Sequence, residues 1–118
     1  MYEVTVKTGF SAAHQLRYYD GKYENLHGHN WTAIVTVETK ELDKIGLGVD
    51  FVILKKNVAD ILSRLDYKNI NEVPPFDLEN PSAENISRWL FGELATLMNS
   101  DNARLKRVEI KEFDDCGA

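Results

Sequence analysis

Apolar and polar residues alternate from the start of the chain: Tyr2, Val4 and Val6 take turns with Glu3, Thr5 and Lys7. Side chains on a strand point to opposite faces in turn, so a period of two predicts a half-buried strand. A second alternating run follows residue 29. Trp31, Ala33, Val35 and Val37 share one parity; Asn30, Thr32, Thr36 and Glu38 lie on the other, where Ile34 is an apolar exception. Lys40 to Gly48 reads as a turn region, with Gly46 and Gly48 as breakers. The period then changes. Phe51, Leu54, Val58, Ile61, Leu62 and Leu65 step mostly by three and four, which predicts an amphipathic helix N-capped by Asp50. A proline-containing loop, Asn71 to Pro81, precedes a second helical stripe of Ile86, Trp89, Leu90, Leu94 and Leu97, its start marked by Pro81 and Ser82. A last strand is expected from about Leu105 to Phe113, with Val108 and Ile110 on one face. The order strand, strand, helix, helix, strand lacks the strict alternation of a parallel α/β fold and predicts α+β with an antiparallel sheet.

Composition narrows the picture. The chain has 118 residues, which fits a single domain spanning 1–118. A domain this short buries a modest core, so a homo-oligomer is expected. Hydrophobic residues make up 43% and charged residues 28%, ordinary for a soluble globular protein. The net charge of −5 argues against nucleic acid as a partner. No apolar run approaches the roughly 20 residues that span a bilayer, so no membrane partner is expected. The N-terminus, MYEVTVKTGF, alternates and carries charge, unlike a signal or transit peptide. Cys116 is the only cysteine, so an internal disulfide is excluded and a cytoplasmic location fits. Any zinc must therefore be held mainly by imidazole or carboxylate.

The three histidines are the candidate chemistry. His27 and His29 stand in L-H-G-H-N, and residues two apart on a strand project from one face. Gly28 between them permits close approach of another backbone. His14 ends the segment F-S-A-A-H after the first strand. Antiparallel pairing of the first two strands would bring His14 to the other two. Three imidazoles with one open position is the arrangement of a catalytic zinc site. The spacing alone leaves open that these are ordinary histidines.

F-S-A-A-H at Phe10–His14 and L-H-G-H-N at Leu26–Asn30 resemble the two signature segments of the 6-pyruvoyltetrahydropterin synthase-like family. Further segments match in order: V-D-F-x-x-L-K at Val49–Lys55, L-D at Leu65–Asp66, N-P-S-A-E-N at Asn80–Asn85 and K-E at Lys111–Glu112. The resemblance implies a T-fold, an antiparallel sheet with two helices on one face. It implies trimers whose sheets join into a barrel, often stacked as hexamers, with active sites at subunit interfaces. It implies Zn2+ on His14, His27 and His29, and a dihydropterin substrate anchored by Glu112. The strand parity agrees on the last point, because Glu112 lies on the side of Val108 and Ile110; an acid turned to solvent at a strand end is the alternative.

Two departures bear on the reaction. Many members carry C-x-x-x-H-G-H, with cysteine as catalytic base; here that position is Tyr23, and Glu24 follows it. E-x-x-H-G-H resembles the type III subgroup, which cleaves 7,8-dihydroneopterin triphosphate to 6-hydroxymethyl-7,8-dihydropterin, a folate precursor. The family's L-D-H is L-D-Y here, leaving Asp66 beside Tyr67. A phenol of pKa about 10 is a poor proton acceptor at neutral pH, though it can donate a proton or orient a hydroxyl. The expected activity is that of a zinc-dependent lyase with Glu24 as base and Asp66 or Tyr67 returning the proton. The rivals are a 6-pyruvoyl- or 6-carboxy-tetrahydropterin synthase and a non-catalytic pterin- or zinc-binding oligomer.

Overall fold

The computed structural model describes residues 1–118. Its backbone order is β1 (Tyr2–His14), β2 (His27–Thr39), α1 (Phe51–Leu62), β3 (Lys68–Asn69), α2 (Ala83–Met98), β4 (Ala103–Phe113) and β5 (Cys116–Gly117). A 3-10 turn at Ile70–Glu72 follows β3. The sheet order is β3-β1-β2-β4-β5. β1, β2, β4 and β5 are antiparallel to their neighbours, and only the two-residue β3 runs parallel to β1. The expected α+β sheet with two helices is present. The very short β3 and β5 have no alternating pattern of their own to announce them.

One face of the sheet builds the core. Val6, Phe10 and Ala12 from β1, Trp31, Ala33, Val35 and Val37 from β2, and Leu105 and Ile110 from β4 are buried in one cluster with both helices. Leu105 and Ile110 have opposite parity, yet both point inward. A β-bulge explains this: Thr36 pairs with Arg107 and Val37 with Leu105, so Lys106 is the extra residue. The bulge keeps Val108, Ile110 and Glu112 on the helix side.

Asp50 caps α1, its carboxylate accepting the Val52 N–H at 2.8 Å. Ser82 caps α2 by accepting the Asn85 N–H at 3.1 Å. The stripes are shorter than their sequence patterns. Phe51 and Leu97, at the outer ends, are exposed, and Leu65 is buried from the turn after α1 rather than from the helix. The sheet's edges are mostly open. β1 has a second partner only at Ala12 and Ala13, and β4 only near its C-terminal end. The chain is elongated, with a radius of gyration of 15.5 Å against about 13.5 Å for a compact chain of this length. No helix is long and apolar enough to cross a membrane.

Candidate metal centre

Strand register brings the histidines together. His14 faces His27 directly across the β1–β2 pairing, and His29 lies opposite Ala12. Ring centroids are 4.8 Å apart for His14–His27, 5.1 Å for His14–His29 and 4.7 Å for His27–His29. One nitrogen from each ring lies within 4.8 Å of the others. His14 is 1% exposed and the side chain of His29 6%, whereas that of His27 is 36% exposed, so the cluster opens at His27. Inside the chain nothing forces glycine between the pair: a Cβ at Gly28 would meet the Ala12 carbonyl at an ordinary 3.8 Å.

Backbone carbonyls set two of the rings. His14 Nδ1 lies 2.7 Å from the Pro81 carbonyl and His27 Nδ1 2.7 Å from that of Asn25. A carbonyl oxygen only accepts, so each Nδ1 carries the hydrogen and each Nε2 keeps its lone pair. Nε2 of His14 and Nε2 of His29 are buried without any partner in the chain. Burial pulls the His29 pKa below its ordinary 6.5; Glu112 opposes this, and His14 and His27 add to it. A neutral imidazole is the form a metal needs. Trp31 walls the cluster, its ring 4.7 Å from His14 and 5.2 Å from His29, and Phe113 stands 4.9 Å from His29. The donor set is three imidazole nitrogens, two of them buried without a partner. It fits a borderline-soft divalent ion with one coordination position left free.

Glu112 reaches the same place from β4. Its Oε1 is 3.9 Å from His14 Nε2 and its Oε2 3.9 Å from His29 Nε2. Glu112 also lines a concavity of about 290 Å³ with Ala83, Glu84 and residues 116–118. The chain's one thiol, Cys116, is therefore near, but Asp115 raises its pKa and keeps it protonated. Glu24 arrives differently. Its backbone N–H donates to the Leu16 carbonyl at 2.9 Å, and its Oε1 accepts the Leu16 N–H at 3.3 Å. That oxygen lies 3.8 Å from His27 Nδ1, the nitrogen already given to Asn25. Glu24 thus stands beside the cluster rather than in front of it.

Asp66 and Tyr67 make no hydrogen bond to the histidines, although Tyr67 shares a concavity with His29. Asp66 Oδ1 accepts the Ser11 N–H at 2.9 Å, and the Tyr67 N–H donates to the Ser11 carbonyl at 2.6 Å. Tyr67 has a left-handed φ of 58° and is 87% exposed. It borders a concavity of about 440 Å³ at the end of the β1–β2 pairing, with Ser11, Ala13, Gly28 and Asn30 and also with His29. Sequence reasoning missed the carbonyls of Asn25 and Pro81, which carry no side-chain signature. It also missed the wall role of Trp31, whose parity with His27 and His29 was the available signal.

Residues 3–118 match the 6-pyruvoyl tetrahydropterin synthase family. A protein of Pyrococcus furiosus named dihydroneopterin monophosphate aldolase is 32% identical over 114 residues, covering 97% of this chain and 92% of its own length. A 6-carboxy-5,6,7,8-tetrahydropterin synthase of Synechocystis is 32% identical over 99 residues, covering 80% of this chain and 75% of its own. The structure of Caenorhabditis elegans 6-pyruvoyl tetrahydropterin synthase superposes with a TM-score of 0.82 at 27% identity, covering all of this chain and 94% of that one.

Proposed function

This chain belongs to the 6-pyruvoyl tetrahydropterin synthase family and has its T-fold, and from that premise we propose that it is a zinc-dependent aldolase cleaving the side chain of a 7,8-dihydroneopterin phosphate. The products are 6-hydroxymethyl-7,8-dihydropterin, a folate precursor, and a phosphorylated two-carbon aldehyde. The observation that carries the reading is the convergence of three imidazole nitrogens with two left unpartnered, beside a glutamate that follows Tyr23, the residue at the cysteine position. The Pyrococcus relative, matched over nearly its whole length, is named for an aldolase on the monophosphate, which supports the reaction type and sets the monophosphate beside the triphosphate as substrate.

His14, His27 and His29 would hold the ion. Bound zinc would supply Lewis acidity at the substrate's side-chain hydroxyls, lowering their pKa. Glu112 anchors the pterin: a carboxylate accepts two hydrogen bonds, one from the 2-amino group and one from the ring N–H. Glu24 is the general base. It removes the proton of the hydroxyl on the second side-chain carbon after releasing the Leu16 N–H, held by a long 3.3 Å bond. That carbon becomes the aldehyde carbonyl as the bond to the first side-chain carbon breaks. The electron pair passes to the first carbon, in conjugation with the ring, and a proton returned there gives the hydroxymethyl group.

Proton return is assigned to the Asp66–Tyr67 corner of a second copy. The phenol is the donor, and Asp66 fixes the backbone that presents it. A left-handed φ on an aromatic residue costs energy, and such strain collects at functional sites; the open β1 and β4 edges are suited to closing a ring of subunits. The assembly is a trimer, or a hexamer of two trimers. Product analysis with the mono- and triphosphate of dihydroneopterin tests the reaction. Hydroxymethyldihydropterin is expected; a 6-pyruvoyl- or 6-carboxy-tetrahydropterin would establish the synthase chemistry of the other relatives, and no product would leave a pterin-binding oligomer.

A further inference from the structure

The segment after His14 and the loop before α2 are joined by side chains acting as strand partners. Asn80 Oδ1 accepts the Arg17 N–H at 2.8 Å, and Asn80 Nδ2 donates to the Arg17 carbonyl at 2.9 Å. Asn71 makes the same two bonds to Gln15, at 2.8 and 2.9 Å. Each primary amide offers one donor and one acceptor, and so replaces a backbone ladder where the chain has left the sheet. The Arg17 guanidinium turns back into the loop and donates to the carbonyls of Asn71, Phe76 and Glu79 at 3.2, 2.8 and 3.1 Å. Asn85, on the first turn of α2, donates to the Asn80 carbonyl at 2.9 Å.

Pro81 follows Asn80 directly, and its carbonyl is the one 2.7 Å from His14 Nδ1. The contacts form a closed frame, with His14 to Arg17 on one side and Asn80 to Pro81 on the other. We propose that Asn80 and Arg17 are positioning residues for the metal centre, holding the Pro81 carbonyl against His14 Nδ1 so that Nε2 stays free for the metal. Resting on the metal reading above, the role falls to residues that act through the Pro81 carbonyl and do not themselves touch the imidazole. The ligand's other nitrogen fixes its tautomer and orientation, and partners of that kind are worth about 10- to 100-fold in metal affinity.

Asn80→Ala removes both bonds to Arg17 next to Pro81. Asn71→Ala removes an equivalent pair away from Pro81 and is the control for a merely structural effect. Zinc affinity is measured by chelator competition, and the His14 tautomer of the metal-free protein by nitrogen-15 NMR. Asn80→Ala is expected to weaken zinc binding by about 10- to 100-fold and to give His14 a population with hydrogen on Nε2. Asn71→Ala is expected to lower thermal stability while leaving affinity and tautomer as in the wild type. Wild-type affinity and tautomer in Asn80→Ala overturn the proposal, as do equal losses in both variants. Should Asn80→Ala not fold, Asn85→Ala frees only the Asn80 carbonyl and is expected to show the same tautomer change at smaller amplitude; an unchanged tautomer there also overturns it. A wild type that binds no zinc refutes the metal reading, and the tautomer comparison still decides this one.

Discussion

The histidine end of the β1–β2 hairpin and the Asp66–Tyr67 corner lie near the same residues of β1 but are built in opposite ways. His14, Ala12 and Phe10 point toward the helices, where the imidazoles meet, sheltered by Trp31 and steadied by Pro81. Ser11, between them, faces the other way and carries Asp66 and Tyr67 on its backbone. The first region is enclosed, with its ligand nitrogens converging in one chain. The second holds Asp66 on the Ser11 backbone and presents an exposed Tyr67 with a left-handed φ, which makes no hydrogen bond to the imidazoles. On the proposed reading, the difference assigns metal binding to a single chain and proton return to the assembly.

The largest expected effect separates the two regions outright. His27→Ala or His29→Ala should lose most of about one zinc per chain, whereas Tyr67→Phe should keep all of it, as read by metal analysis of the purified proteins. Full retention in both histidine variants would break the comparison at its stronger side. Next comes the base. Glu24→Gln should reduce turnover by roughly 10²–10⁴-fold without loss of zinc or of pterin binding; wild-type turnover would remove Glu24 from the mechanism. Glu112→Gln should weaken pterin binding by about ten- to a hundredfold, the loss of one charge-assisted hydrogen bond, again at constant zinc content. Because Glu112 faces two ligand nitrogens at 3.9 Å, zinc loss in this variant would make it a ligand rather than an anchor.

The smallest effect concerns acid. The His29 pKa is held below 6.5, chiefly by burial. The unfolded chain therefore takes up that proton at a higher pH than the folded one, and stability falls as pH drops below about 6.5 toward the folded value. Urea midpoints of the metal-free protein should fall across that window, less steeply in His29→Asn. An equal slope in the two proteins would show that His29 does not carry the dependence.

How far the chain could be read from its residues follows the same division. The period of two in Val4–Val6 and Trp31–Val37 and the steps of three and four in both helices are local, and they marked the long elements well. The H-x-H spacing placed His27 and His29 on one face, and antiparallel pairing then delivered His14. The Lys106 bulge was not legible, because it only becomes visible as a mismatch of Leu105 with Val108 once β2 is the partner. β3 is two residues long and is defined by Ala12 and Ala13, not by its own pattern. Phe51 and Leu97 sit at the outer ends of their helices and are exposed, so periodicity overstated their burial. The carbonyls on His14 and His27 are backbone atoms that any residue type would supply. That Asp66 and Tyr67 land on the Ser11 backbone depends on the turn after α1 reaching the β1 edge, which spacing does not encode.

Mixing two damaged proteins tests the account most directly. His29→Ala destroys a metal site but keeps the corner, and Tyr67→Ala does the reverse; each alone should make little 6-hydroxymethyl-7,8-dihydropterin from dihydroneopterin monophosphate. Unfolded together and reassembled in equal amounts, they should form rings in which about a quarter of the sites pair an intact triad with an intact neighbouring corner, and product formation should return to about that fraction of the wild-type rate. Full activity of Tyr67→Ala alone, or no recovery from mixed oligomers that retain the expected half of their zinc, would contradict a site shared between subunits.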